Sequence, residues 1–161
     1  MLKFFLNPNT AGHLRGLAQE FEESTNSVRV ELKRLETAGM INSKIVGNKK
    51  VFRVNERFPL FNEVRSIVLK QTGLDKIIDE VVINLGDLHK VYLTGDLAQG
   101  KNSNEISLIL VGNPDRKYLT LLIVKAEKLI DKKIQYLIYS KDEFSQRAYE
   151  SSKLLLLWNE E

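Results

Sequence analysis

Apolar positions recur with helical spacing in the first part of this chain and gather into strand-like runs in the second. Val28, Leu32 and Leu35 fall at i, i+4 and i+7, which predicts one face of a helix over roughly Thr25 to Ala38. Ser24 or Thr25 is placed to cap its start, and Gly39 to end it with a positive φ. Upstream, Leu14, Leu17, Ala18 and Phe21 form a second stripe on a helix from about Thr10 or Ala11 to Phe21, leaving Glu22 to Thr25 for a turn. Helices joined so closely pack at a steep angle, and the second stands clear of the first.

Behind them, Ser43 to Val46 and Val51 to Val54 are alternating β-prone runs around Gly47-Asn48-Lys49-Lys50, a hairpin pattern. Leu60, Phe61, Val64, Ile67 and Val68 then predict a helix running to about Gln71. Gly73 breaks it, and Leu74, Ile77, Ile78, Val81, Val82 and Leu85 predict another that ends near Gly86. Strands follow at Val91 to Thr94 and Ile106 to Val111, separated by the loop Gly95 to Gly100. A helix at Leu119 to Ile130, a strand at Ile134 to Tyr139, a helix at Glu143 to Ser151 and an apolar tail at Leu154 to Trp158 complete the chain. The fold class is α+β, with a small α/β layer in the second half. The expected division is 1–58, a connecting helical stretch 59–86, and 87–161.

Charge changes this picture mainly in the first part. Residues 1–58 hold ten Lys and Arg against six Asp and Glu, a balance of +4, while the remainder holds fourteen against fifteen, or −1. The side of the second helix opposite its apolar stripe carries Asn26, Val30, Lys33 and Thr37, flanked by Arg29 and Arg34. A solvated charged face is the bland reading of that helix alone. The hairpin adds Lys44, Lys49, Lys50, Arg53 and Arg57 against Glu56, a local excess of five minus one, or +4. Together these predict a DNA-reading surface: Asn26, Arg29, Lys33 and Arg34 towards base edges, Val30 against a thymine methyl with Thr37 beside it, and Lys44, Lys49, Lys50 and Arg53 against phosphate.

The string Leu14-Arg15-Gly16-Leu17-Ala18-Gln19-Glu20-Phe21, followed by Ser27-Val28-Arg29-Val30-Glu31-Leu32-Lys33-Arg34-Leu35-Glu36-Thr37-Ala38-Gly39-Met40-Ile41 and the basic hairpin, resembles the winged helix-turn-helix of bacterial ArsR-type repressors. The resemblance implies binding of double-stranded DNA, usually as a homodimer on a pseudo-palindrome. The stripes Leu2 to Leu6 and Leu60 to Val68 are the candidate dimer contacts. Metal sensing does not carry over, because the chain has no cysteine and only His13 and His89, too few ligands for a soft metal.

The second half, with Gly95-Asp96-Leu97-Ala98-Gln99-Gly100 ahead of the second strand, resembles the minimal nucleotidyltransferase fold of the DNA polymerase beta superfamily. In that family a Gly-Ser opens the loop that cradles nucleotide phosphates, and an Asp-x-Asp with a third carboxylate holds two magnesium ions. Residues i and i+2 of a strand share a face, so such a pair can grip one metal pair. Here the pattern's positions are Gly95 and Asp96, then Glu105-Ile106-Ser107, then Gln135. Three expected carboxylates have become one. The resulting expectation is a nucleotidyltransferase-like domain without catalysis, metal or cofactor, used for dimerisation or to bind an effector or protein partner.

The rest of the composition restricts the class. With 43% hydrophobic and 28% charged residues, a folded soluble chain is expected. The longest apolar runs are far below the ~20 residues that span a bilayer, and Asn7-Pro8-Asn9 interrupts the apolar start that a secretory signal would need, so no membrane partner is expected. Absence of cysteine excludes disulfides and is compatible with the cytoplasm. The combined expectation is a sequence-specific transcriptional regulator, not an enzyme. The alternative is a magnesium-dependent nucleotidyltransferase acting on a protein or small molecule, with the winged helix as its docking module.

Overall fold

The computed structural model describes residues 2–145, 147, 149 and 153–160, of Leu2 the backbone only. It divides into two units, Met1–Ile67 and Val68–Glu161.

In the first unit a short helix, α1 (Leu2–Leu6), is followed by a two-residue strand, β1 (Gly12–His13), and by helices α2 (Leu14–Glu20) and α3 (Thr25–Thr37). Strands β2 (Ile41–Val46) and β3 (Lys49–Val54) form the hairpin, and β1 adds to its far side, giving the antiparallel order β1-β3-β2. The hairpin turn is only Gly47-Asn48, with Gly47 at φ 61°, so Lys49 and Lys50 lie on the strand and not in the tip. Both helix starts are capped by side chains: His13 Nδ1 accepts from the Gly16 amide at 3.1 Å, and Ser24 Oγ from the Ser27 amide at 3.0 Å. With His13 as its cap, the first of these helices begins at Leu14, where its apolar stripe begins, and not at the expected Thr10 or Ala11.

Phe4, Phe5 and Leu6 are buried in this unit's core with Leu17, Leu32, Ile41, Phe52 and Val54. They line its interior and cannot serve as a contact between copies, which corrects the expectation for Leu2 to Leu6 at Phe4, Phe5 and Leu6; the Leu2 side chain lies outside the described residues. The Lys3 ammonium, itself buried, reaches the Glu20 carboxylate at 2.7 Å. Helix α4 (Phe61–Thr72) contains the boundary between the units, and its stripe is divided: Val68 is buried, while Leu60, just ahead of the helix, and Ile67 are exposed.

The second unit opens with α5 (Leu74–Ile77), which passes into a π turn, Ile78–Val82, in place of one regular helix. The Asn84 amide donates to the carbonyls of Asp79 and Glu80, which the widened turn leaves accessible. Four strands follow: β4 (Leu88–Thr94), β5 (Glu105–Gly112), β6 (Lys133–Tyr139) and β7 (Leu155–Asn159). Between them lie α6 (Gly95–Ala98), α7 (Arg116–Ile130) and α8 (Lys141–Ser145). The predicted helix at Glu143 to Ser151 coincides with α8 only at its start; residues 146, 148 and 150–152 lie outside the described residues.

The sheet order is β6-β5-β4-β7, with β5 and β6 parallel across the α7 crossover and the other pairs antiparallel. β5 is central and reads as an apolar run because both of its faces are covered: Ile106, Leu108, Ile109, Leu110 and Val111 are all buried. The main core adds Leu74, Ile77, Val81 and Val82 with Leu119, Leu122, Ile123 and Ala126 of α7. Among the described residues no helix is long and apolar enough to cross a membrane.

Helix α7 starts where Asp115 Oδ1 accepts from the amides of Lys117 at 2.8 Å and Tyr118 at 3.0 Å. Asp115→Ala is expected to lose about 1 kcal/mol, the usual contribution of such a cap, measurable by urea denaturation of the intact chain. An unchanged midpoint would mean that α7 draws its stability from core packing alone.

Candidate functional site

The surface expected to read DNA is laid out as the helical wheel implies. Asn26, Arg29, Val30, Lys33, Arg34 and Thr37 on α3, and Lys44, Lys49, Lys50 and Arg53 on the hairpin, are all exposed. Its cations, however, are partly engaged within the unit. The Arg34 guanidinium donates to Glu31 Oε1 at 2.7 Å. Lys50 Nζ donates to Glu36 Oε2 at 2.8 Å and lies 5.1 Å from the centre of the Phe52 ring. Glu36 also accepts from Ser43 Oγ. The hydrogen bonds from Lys50 and Ser43 hold its carboxyl below the ordinary carboxylate range. Helix α3 carries Arg29, Lys33 and Arg34 against Glu31 and Glu36, three minus two, or +1. The helix by itself is thus a mixed face, and most of the surface's positive charge lies on the hairpin, at Lys44, Lys49, Lys50 and Arg53.

In the second unit the positions singled out by sequence come together at one end of the sheet. Thr94 pairs with Ser107 and Ser107 with Gln135, so Thr94, Ser107 and Gln135 form one row across β4, β5 and β6. Glu105 lies two residues before Ser107, on the same face, opposite Lys133. Immediately after Thr94 the chain turns at Gly95, whose φ of 74° is left-handed. A Cβ at Gly95 would sit 3.4 Å from Ser107 Oγ, so the turn closes directly on the middle of the row.

The ion pairs around this row are long, and the acid of one of them, Glu127, is half-buried with its Oε1 accepting from the Ile134 amide at 2.8 Å. Asp96 Oδ1 is 4.0 Å from Lys101 Nζ, and Lys133 Nζ is 3.7 Å from Glu127 Oε2. The Glu105 carboxylate has no hydrogen-bond or ion-pair partner among the described residues. The loop leading into β5 is fixed from below: Ser103 Oγ accepts from the Glu105 amide at 3.0 Å, and Lys132 Nζ donates to the Ser103 carbonyl at 3.0 Å.

A metal pair held by the protein does not fit this donor set. Two of the positions that would supply carboxylates are the Ser107 hydroxyl and the Gln135 amide. Among the described residues no three His, Cys, Asp or Glu side chains stand together as a metal site.

Further along the same face is a cluster that sequence reasoning missed. Tyr92 lies two residues before Thr94, and Phe144 of α8 stacks on it with ring centroids 5.0 Å apart. Phe144 also stacks on Tyr149 at 5.6 Å and approaches Tyr139 at 6.5 Å, and the Arg147 guanidinium lies 4.5 Å from the Tyr139 ring centre. Burial and a hydrogen bond with Tyr139 hold the Tyr149 phenol above its ordinary value. The signal available in the sequence was parity: 92 with 94, and 139 with 135, share a face.

No protein-family model and no curated protein matches the chain. Three solved structures do. A mutant of the toxin–antitoxin pair MntA–HpeT is 18% identical, with a TM-score of 0.41 over 54% of this chain and 72% of that one. A nucleotidyltransferase candidate from Sulfolobus solfataricus is 17% identical, with a TM-score of 0.38 over 60% and 86%. The tri-AMPylated HEPN toxin of Shewanella oneidensis in complex with the MNT antitoxin is 16% identical, with a TM-score of 0.38 over 56% and 73%.

The similarity is at the level of a nucleotidyltransferase-like fold, and no residue's role is taken from it. These matches nevertheless correct the functional expectation. They are described as a nucleotidyltransferase and as toxin–antitoxin assemblies, none as a DNA-binding regulator, so the readings as a transcriptional regulator, a non-enzyme and a pseudoenzyme are withdrawn. On the DNA side, two of the cations expected to meet DNA, Arg34 and Lys50, are engaged by Glu31 and Glu36 within the unit.

Proposed function

We propose that the chain is a nucleotidyltransferase acting on a protein or small molecule, with the first unit, read as a winged helix-turn-helix, docking the acceptor. The observation that carries this is the Thr94, Ser107 and Gln135 row, with the Gly95 turn closing on Ser107 and the free Glu105 carboxylate on the same face. In this reading the substrate is the magnesium complex of a nucleoside triphosphate. Magnesium keeps much of its water and binds through one or two carboxylates together with phosphate oxygens, so Glu105 suffices for an ion that arrives on the triphosphate. Ser107 and Gln135 supply neutral donors to phosphate oxygens without adding like charge.

The transfer itself balances simply. An acceptor hydroxyl oxygen bonds to the α-phosphorus, and the bond from that phosphorus to the α–β bridging oxygen breaks. Magnesium pyrophosphate leaves, and the hydroxyl proton passes to solvent. The face of α3, with exposed Val30 among Arg29, Glu31, Lys33 and Arg34, suits a protein acceptor of mixed charge.

The test is incubation of the full chain and magnesium with each of the four α-labelled nucleoside triphosphates and a cell extract as acceptor. Label is expected on a protein or small molecule with at least one nucleotide, accompanied by pyrophosphate. Neither label nor pyrophosphate with any of the four would overturn the reading.

A further inference from the structure

Resting on that reading, we propose that the nucleotide's base lies on Leu137 of β6, between the polar row and the Tyr139–Arg147 stack. Leu137 is in register with Ile109, which is in turn in register with Tyr92, so the three form the next row of the same sheet face. That row is covered unevenly. Ile109 is 2% exposed and Tyr92 lies under Phe144, whereas Leu137 is 56% exposed. It is a large apolar side chain left open on an otherwise covered row, directly beside the candidate chemistry.

Spacing specifies the occupant. Rows two residues apart on a strand are separated by about 6.6 Å, a span that one ribose bridges. An α-phosphate held at Ser107 and Gln135 therefore places its base over Leu137. At one end of this shelf stands Gln135, which holds the phosphate. At the other, Tyr139 with the Arg147 guanidinium 4.5 Å above its ring presents a flat cationic wall, the kind of surface on which bases stack. A purine covers more of Leu137 than a pyrimidine, so purine triphosphates are expected to bind more tightly.

Calorimetric titration of the full chain with MgATP and with magnesium tripolyphosphate, which has no base, separates this subsite from the phosphate site. Leu137→Asn, which removes the apolar surface without adding charge beside the phosphates, should weaken MgATP about tenfold and leave tripolyphosphate unchanged. Leu121→Asn, at a residue 68% exposed on α7, should change neither. Because Leu137 is exposed, unchanged melting of the Asn variant is expected and is checked alongside. If the parent chain binds MgATP and Leu137→Asn binds it equally well, the base subsite is wrong while nucleotide binding stands. Equal weakening of both ligands would also overturn it, since Leu137 would then act on the whole site. If the parent chain binds no nucleoside triphosphate, the nucleotidyltransferase reading fails and this proposal fails with it.

Discussion

Glu105→Gln is expected to lower nucleotidyl transfer by about a hundredfold or more without shifting the melting temperature. The substitution keeps the shape of the side chain and removes its charge. Glu105 is exposed at the first position of β5, and its carboxylate has no partner among the described residues, so folding does not depend on that charge. Transfer does, because Ser107 and Gln135 occupy the other positions that could have supplied a carboxylate to the substrate's cation. The loss should fall on kcat/KM, and raising magnesium should restore little of it. Activity within threefold of the parent would remove Glu105 from the account and leave the polar row without a charged member.

The largest effect on stability is expected at Gly112, where β5 ends opposite Leu88. Gly112 has φ 149°, and a Cβ there would lie 2.3 Å from the Asp87 carbonyl oxygen and 2.9 Å from Leu88 Cα. Both are backbone atoms, tied by the hydrogen bond from the Asn113 amide to Asp87 O at 2.9 Å, and neither can swing aside as a side-chain end would. Gly112→Ala should therefore cost about 3 kcal/mol or more and lower the melting temperature by about 10 °C. Gly86→Ala, where no heavy atom lies within 4 Å of the added methyl, should be nearly neutral. Equal melting of the two variants would mean that the β4–β5 register at this end differs from the one described.

Elements whose pattern repeats over several turns or residues were legible in the sequence. α3, β5, α7 and β6 have enough apolar positions to define a period, and Ser24 marks the start of α3, whereas the Asp115 cap that starts α7 at Arg116, ahead of the expected Leu119, went unread. What escaped was too short or too ambiguous to show a period. β1 has two residues, and its place is fixed only by pairing with β3. The apolar tail Leu154 to Trp158 has no alternation, and it becomes β7 because β4 offers it an edge. A π turn and a regular helix bury nearly the same stripe, so Ile78–Val82 could not be told from its neighbours.

The candidate site divides the same way. Gly95, Glu105 and Ser107 were marked by a motif, but placing Gln135 beside Ser107 requires the β5–β6 register. Tyr92 and Phe144 are far apart in the chain and meet only through packing. The excess of positive charge in residues 1–58 was legible as a count, but a count does not show which cations are held by acidic neighbours, as Arg34 is by Glu31 and Lys50 by Glu36.

The central claim is that this chain moves the α-phosphate of a nucleoside triphosphate, with pyrophosphate leaving. Parallel reactions with the same triphosphate labelled at the α or at the γ position, scored for label on the acceptor and for pyrophosphate released, test it most directly. The account predicts label from the α position alone, with one pyrophosphate for each nucleotidyl group transferred. Label from the γ position, or none from either while pyrophosphate stays absent, would contradict it.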